Sequence, residues 1–180
     1  MLFPPIWRKL VLAAHLTVSV GWIGAVLAYV ALDVSVALGQ DAETVRTGYV
    51  AMERIASLVI VPLAIATLVT GIAISLVTKW GLFRHYWVVI SLILTVFATV
   101  VLVRETEVIS FHADIAADPS AAANEVLALP STLVHSVGGT ALLLVVLVLN
   151  IYKPRGLTRY GRRNEGEPSA VPGKRTPASS

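Results

Sequence analysis

Four long apolar runs dominate the pattern of hydrophobic and polar positions along the chain. They cover about residues 10–32, 56–77, 86–103 and 132–152, and polar or charged segments separate them. A helix needs roughly 20 mainly apolar residues to cross the hydrocarbon core of a bilayer. The pattern therefore predicts an all-α protein whose residues 1–155 form one transmembrane domain, a membrane four-helix bundle.

The distribution of charge predicts how this bundle is oriented. The N-terminal segment, the short second loop and the tail from Lys153 onward hold 11 of the 14 Lys and Arg residues. The first and third loops hold 9 of the 11 acidic residues. Because short loops rich in Lys and Arg stay on the cytoplasmic side of a membrane, we predict a multi-pass protein of the inner (plasma) membrane with both termini cytoplasmic.

Composition supports the membrane class and excludes several kinds of chemistry. The chain is 56% hydrophobic and only 14% charged, whereas soluble domains average about 25% charged residues. It contains no cysteine, which excludes disulfides, thiolate metal sites and cysteine nucleophiles. The basic residues flank apolar runs instead of forming one patch, so we expect the lipid bilayer as a partner and no nucleic acid.

The first loop is long enough to extend the first helix beyond the bilayer before the chain turns back, whereas the tail is expected to form little structure of its own. Neither the first nor the third loop can build a hydrophobic core alone. The sequence S-F-H-A-D-I-A-A-D in the third loop favours a short amphipathic helix on the outer surface. Residues 156–180 are basic and rich in Pro, Ser and Gly, so we predict a disordered cytoplasmic tail.

Small residues and one proline interrupt the apolar runs. Pro62 lies inside the second run and predicts a kink, which a membrane bundle tolerates. Small residues at helical spacing let helix backbones approach closely, and they also leave space for a flat cofactor. Both interpretations stay open for Thr17, Gly21, Gly24 and Ala28 in the first run and for Gly138 and Gly139 in the fourth.

Two histidines lie inside apolar runs, where an ionisable side chain without a partner is costly. At 1.5 Å per residue, His15 lies about 8 Å from the inner boundary and His135 about 6 Å from the outer boundary. In a hydrocarbon core of about 30 Å, they are separated by roughly 15 Å in depth. The two axial ligands of one haem lie at nearly the same depth, so we do not expect these two histidines to share an iron.

The remaining two histidines suggest separate pairs. His85, at the inner end of the third run, is on the side of His15, and His112, in the third loop, is on the side of His135. Neutral imidazole binds haem iron and copper. We therefore predict an inner cofactor site with His15 and His85 and an outer one with His112 and His135, with haem b as the leading cofactor.

Each of these residues also has a simpler interpretation. His85 can contact lipid headgroups, His112 can be exposed to solvent, and nearby serines or helix carbonyls can satisfy His15 and His135.

The charged residues elsewhere in the chain point to no known motif. Glu53 and Arg54 are expected to pair with each other or with Arg104. The sequence has no Gly-rich phosphate loop or hydrolase motif. The apolar runs also carry none of the carboxylates that ion-coupled transporters use.

Four motifs carry a resemblance to known membrane proteins. They are A-A-H-L-T-V-S-V-G-W-I-G-A, V-I-V-P-L-A-I-A-T-L-V-T-G, W-G-L-F-R-H-Y-W-V and Y-K-P-R-G-L-T-R-Y-G-R-R. With them the chain resembles a family of bacterial four-helix integral membrane proteins of unassigned function. It is more distantly similar to copper-resistance D membrane domains and to the four-helix haem-binding protoporphyrinogen oxidase. His15 matches that oxidase's functional first-helix histidine, whereas Ser91 occupies the region of its third-helix lysine.

Together these features favour a redox-related membrane protein that binds haem b or oxidises a small molecule through its intramembrane histidines. A non-catalytic membrane protein, either a metal-permeation domain or an accessory subunit of another complex, is the alternative. A membrane tailoring oxidase that works with a soluble redox partner, docked on the basic inner surface, is a third possibility.

Overall fold

The computed structural model describes residues 4–78 and 81–163. Within these residues the secondary structure is helical, and an isolated bridge joins His85 to Leu157. The elements in chain order are α1 (Pro5–Ala37), α2 (Ala42–Ile55), a π-helical turn (Ala56–Ile60), α3 (Val61–Val77), α4 (Tyr86–Ala117), α5 (Ala123–Leu127), α6 (Leu133–Tyr152) and α7 (Arg159–Arg163).

Four helices are long and apolar enough to cross a membrane: α1, the continuous helix Ala42–Val77, α4 and α6. This confirms the predicted all-helical architecture with four candidate spans. Because the number of spans is even, the described chain begins and ends at the same end of the bundle, which we call the terminal end. The opposite end, with the α1–α2 and α4–α6 connections, is called the distal end.

Two helices are longer than the apolar pattern predicts. α1 has 33 residues and α4 has 32, so each is about 50 Å long, whereas the hydrocarbon core of a bilayer is about 30 Å thick. Their extra turns continue past the start of α6 and form a layer with α2 and α5. Val36, Tyr49, Ile109 and Val126 belong to the buried apolar cluster of this layer. The first and third loops therefore build a shared core, although neither was expected to build one alone.

Polar contacts fix this distal layer. Asp41 caps α2 by accepting from the backbone N–H and the hydroxyl of Thr44, at 2.8 Å each, and these bonds hold the pKa of Asp41 below its usual range. Arg46 donates to the carbonyls of Ala116, Asp118 and Ala121, at the carboxyl end of α4 and just beyond it. A cation at this position satisfies carbonyls that a helix end leaves without partners.

Pro62 is accommodated by the π-helical turn that precedes it. Proline has no N–H to donate, and its ring crowds the carbonyl four residues earlier. The Val61 N–H donates to the carbonyl of Ala56, five residues back. The wider turn therefore lies at the position where the sequence predicts a kink, as is common for helix distortions.

The tail is partly ordered. Tyr86 donates its N–H to the carbonyl of Gly156 at 3.3 Å, and Thr158 donates its N–H to the carbonyl of Arg84 at 3.0 Å. α7 follows directly. The prediction of disorder from residue 156 is therefore wrong for residues 156–163, and residues 164–180 lie outside the described part of the chain.

The small-residue stripe on α1 mostly faces outward. Thr17, Gly24 and Ala28 are exposed, whereas Gly21 faces the side chain of Leu63. Close packing of α1 on another helix of this chain therefore explains only Gly21.

The predicted partners of the charged residues at this end are partly confirmed. Glu53 pairs with Arg54 at 3.5 Å, and Arg104 pairs with Glu107 at 3.4 Å.

Candidate functional site

Two cavities lie between the helices. One has a volume of about 550 Å³ and opens toward the terminal end; we call it the terminal-side cavity. The other has a volume of about 270 Å³ and lies toward the distal end; we call it the distal-side cavity. Trp22 and Leu143 line both cavities. These two side chains therefore separate a site around His15 from a site around His135.

His15 lines the terminal-side cavity and is held by α3. Its Nδ1 lies 3.0 Å from the hydroxyl oxygen of Thr70. That hydroxyl has one hydrogen, and it donates to the carbonyl of Ala66 at 2.6 Å. The Thr70 oxygen is then the acceptor for His15, which assigns the hydrogen of the neutral ring to Nδ1. In this tautomer Nε2 is the ring nitrogen that carries the lone pair.

Gly71 makes room for the His15 ring. A Cβ atom at this position would lie 3.2 Å from Cε1 of His15, closer than ordinary van der Waals contact. A side chain here would push the ring away from Thr70. The adjacent residues Thr70 and Gly71 thus determine both the orientation and the position of the imidazole.

Most of the helical hydroxyls satisfy themselves within their own helix. They donate to the carbonyl four residues earlier, as is usual for Ser and Thr inside helices. This holds for Thr70, Ser75, Thr95, Thr99, Thr106 and Thr140.

Three buried polar atoms of the terminal-side cavity are not satisfied in this way. The hydroxyls of Ser19 and Thr67 and the indole N–H of Trp22 have no hydrogen-bond partner among the described residues. All three side chains line the terminal-side cavity. Buried polar groups are almost always hydrogen-bonded, so three such atoms around one cavity indicate a polar ligand or water there.

Cationic side chains surround the terminal end of this cavity. Arg8, Lys9 and Lys153 belong to its lining. Further in, the amide of Asn150 donates to the hydroxyl of Ser91 at 3.2 Å and joins α6 to α4. The cavity therefore offers positive charge at its mouth, a histidine in its wall and hydrogen-bond donors toward its closed end.

The distal-side cavity has different chemistry. Apolar side chains form most of its lining, and the carboxylate of Glu105 and the imidazole of His135 lie 3.6 Å apart at its edge. A Cβ atom added at Gly138 or Gly139 would meet nothing within 4 Å. The two glycines therefore leave open space at the cavity wall. Such space is what the interpretation of small residues as room for a flat cofactor requires.

A buried carboxylate joins α1 to α6 beside this cavity. Asp33 is fully buried, and its Oδ2 accepts from the hydroxyls of Thr132 at 3.0 Å and Ser136 at 2.7 Å. Nearby, the hydroxyl of Tyr49 donates to the carbonyl of Pro130 at 2.9 Å. These bonds connect the distal ends of three helical segments.

The structure does not bring the predicted histidine pairs together. His15 and His135 line different cavities, in agreement with their difference in depth. His85 precedes α4, packs near Trp87 and lines neither cavity. His112 packs edge-on against Tyr49 in the distal layer, with ring centroids 5.6 Å apart.

His112 also differs from its simpler interpretation. It is only 7% exposed, so the expectation of a solvent-exposed side chain is wrong. It lies on a continuous helix, α4, in a stretch that sequence reasoning assigned to a loop.

Sequence reasoning missed two carboxylates. Asp33 directly follows the first apolar run and Glu105 lies two residues after the third, so the hydropathy pattern places both outside the predicted spans. In the structure Asp33 is buried and Glu105 lines the distal-side cavity. Asp33 lies four residues after Tyr29, and Glu105 lies three residues after Leu102. Residues at this spacing share a helix face, so the spacing indicates that each carboxylate continues the face of the preceding apolar run.

Among the described residues, no three His, Cys, Asp or Glu side chains form a group that could hold a metal ion. No protein-family model, no curated protein and no solved structure matches the chain. The described residues form a helical protein with four helices able to cross a membrane and with cavities lined by His15 and by His135.

Proposed function

We propose that this protein is a membrane redox protein that binds haem b in the terminal-side cavity, with Nε2 of His15 as the iron ligand. Its charge distribution supports a location in the inner (plasma) membrane with the terminal end toward the cytoplasm. Haem b would supply one-electron transfer chemistry.

The observation that carries this proposal is the orientation of His15. Histidines that bind metals usually donate their other ring N–H to a protein acceptor, which fixes the tautomer and the direction of the lone pair. The Thr70 hydroxyl provides such an acceptor for Nδ1. Nε2 is then the nitrogen with a lone pair, as a haem ligand requires.

The size and lining of the cavity support the same ligand class. A volume of about 550 Å³ lies within the range of roughly 300–1,000 Å³ that is typical of small-molecule and cofactor sites. The mouth with Arg8, Lys9 and Lys153 suits the carboxylate groups of haem b. His15 is the only histidine in the lining, so we infer one protein ligand to the iron and not the predicted pair with His85.

The absorption spectrum of the detergent-purified protein, reconstituted with hemin, tests this proposal. We expect a Soret band that shifts on reduction with dithionite. His15→Ala should lose nearly all of this band because the iron loses its protein ligand. His135→Ala is the matched control, because it removes a histidine from the other cavity, and it should keep the band.

Two results would contradict the proposal. One is a preparation that stays colourless after reconstitution. The other is a spectrum that His15→Ala leaves unchanged while the variant remains helical by circular dichroism.

A further inference from the structure

The distal-side cavity has the features of a second binding site. It is mainly apolar, and apart from the indole of Trp22 at its closed end its polar side chains come from the distal parts of α1 and α4 and the start of α6. At the distal end lie Glu105 and His135, and Tyr29 and Thr132 belong to the same lining, with the Thr132 hydroxyl donating to Asp33. This arrangement separates a polar head region from an apolar body region.

We propose that the distal-side cavity binds an uncharged, lipid-soluble phenol of the hydroquinone class. The hydroxyl of this ligand would donate to the carboxylate of Glu105. Its ring and the first part of its apolar tail would lie between α1, α4 and α6, toward Trp22 and Leu143. This site is independent of the one around His15.

The carboxylate determines which head group fits. Glu105 is an acceptor, and its imidazole neighbour His135 lies at 3.6 Å, which is longer than a direct hydrogen bond. Arg104, the adjacent cation in the chain, pairs with Glu107 instead. A ligand hydroxyl that donates to a carboxylate forms one of the stronger hydrogen bonds available in proteins. An anionic head such as a fatty acid would instead be repelled by Glu105.

The depth of the cavity determines the rest of the ligand. His135 and Leu143 are eight residues apart on α6, so the distance from head region to closed end is about 12 Å. His135 is the third residue of this helix, which places the head region near the distal boundary of the span. A molecule with a polar ring substituent and an apolar tail enters such a site directly from the lipid.

The glycines of α6 keep this space open. Added Cβ atoms at Gly138 and Gly139 would have no neighbour within 4 Å, although both residues line the cavity. Close helix packing therefore does not explain them. Gly24 on α1 also has no neighbour within 4 Å, but it lies outside both cavity linings. It supplies a matched control for substitutions.

The experiment measures binding of a tritiated decyl-substituted hydroquinone to the purified protein by equilibrium dialysis in detergent. Gly139→Leu should abolish saturable binding because the leucine fills the cavity, whereas Gly24→Leu should leave it unchanged. Glu105→Gln should weaken binding roughly tenfold, because a charge-assisted hydrogen bond becomes a neutral one. The dimethyl ether of the same compound, which has no hydroxyl hydrogen, should also bind about tenfold more weakly to the unchanged protein.

Several outcomes would overturn the proposal. Equal binding by Gly139→Leu and Gly24→Leu would show that the compound only partitions into detergent. Equal affinity for the hydroquinone and its dimethyl ether would show that only the apolar tail is recognised. His15→Ala, which tests the proposed haem site, should leave hydroquinone binding unchanged, so the two proposals can fail separately. Circular dichroism of each variant establishes that it is folded.

Discussion

The two cavities differ in how their polar side chains are used. Around the terminal-side cavity, the hydroxyls of Ser19 and Thr67 and the indole N–H of Trp22 have no partner among the described residues. Beside the distal-side cavity, Oδ2 of Asp33 accepts two hydrogen bonds and the neighbouring Tyr49 hydroxyl donates to a backbone carbonyl, whereas Oδ1 of Asp33 has no partner among the described residues. One set of polar atoms lies around open volume, whereas the other set holds helices together.

The difference follows from what lies beyond each end of the bundle. At the distal end, the extensions of α1 and α4 pack with α2 and α5 into a shared apolar core. Oδ2 of Asp33 and the hydroxyls of Thr132, Ser136 and Tyr49 are hydrogen-bonded between packed elements there and contribute to stability. At the terminal end the helices surround a larger cavity, so the polar groups in its wall are available to a ligand. Substitutions in the polar cluster around Asp33 should therefore affect stability, whereas substitutions of the unpartnered polar groups in the terminal-side cavity should mainly affect ligand binding.

Asp33→Ala should produce the largest effect on stability. It removes the carboxylate that accepts from Thr132 and Ser136 in a fully buried position. A buried donor that loses its acceptor costs about 1–3 kcal/mol, and Ser136 keeps a second acceptor in the carbonyl of Leu133. We expect the free energy of unfolding in mixed micelles to fall by about 2 kcal/mol.

Ser35→Ala is the matched control for this prediction. Ser35 lies on the same helix, is exposed, and donates only to the carbonyl of Ala31. Its replacement should change the free energy of unfolding by less than about 0.5 kcal/mol. If both variants unfolded alike, the distal polar cluster would not be a determinant of stability.

Sequence patterns could predict the spans and an extension of the first helix beyond the bilayer, but not the packed layer that the extensions of α1 and α4 form. The apolar runs give the hydrophobic parts of all four helices, because the bilayer imposes their length and composition. The further turns of α1 and α4 carry polar and charged residues such as Asp33, Glu105 and His112. From hydropathy alone these residues are assigned to loops, because only the packing of α2 and α5 against them shows that the helices continue there.

The site could be predicted only in part for a similar reason. An intramembrane histidine identified His15 as a candidate, since such a side chain needs a partner. The depths in the bilayer that are calculated along each helix also predict that His15 and His135 do not share one site. The partner itself, Thr70, is 55 residues away in sequence. Hydrogen bonds between helices depend on helix rotation, which neither hydropathy nor spacing fixes for Thr70 or Glu105.

Gly71→Ala should weaken the proposed haem site by an intermediate amount. The new methyl group would lie 3.2 Å from Cε1 of His15 and displace the ring from Thr70. Changes to groups that orient a metal ligand typically cost about 10- to 100-fold in affinity. Because the displacement is a few tenths of an ångström, we expect the hemin dissociation constant from absorption titration to rise by about tenfold.

Gly138→Ala tests whether this effect belongs to the terminal-side cavity. A Cβ atom there meets nothing within 4 Å, and the residue lines only the distal-side cavity. The hemin dissociation constant should therefore stay as in the unchanged protein. A similar increase in both variants would mean that helix packing in general, and not the position of His15, governs haem binding.

The smallest expected effect is a difference in the free energy of unfolding between variants of two threonines on the same helix. Thr67 and Thr70 are three residues apart on α3, but only the Thr70 hydroxyl has hydrogen-bond partners among the described residues. Thr70→Val should lower the free energy of unfolding of the ligand-free protein by about 1 kcal/mol, because it removes the hydrogen bond between His15 and the Thr70 hydroxyl. Thr67→Val should change it by no more than about 0.5 kcal/mol, because no hydrogen bond is removed from the folded state.

The same pair tests the division of roles inside the terminal-side cavity. Thr67→Val removes a hydroxyl that lines the cavity, so it should weaken ligand binding while stability is maintained. Thr70→Val should weaken binding and stability together, since it acts through His15. Equal losses of stability in the two variants would show that the Thr67 hydroxyl is a structural group. Thr67 would then belong with the polar groups that hold helices together, and not with those that surround open volume.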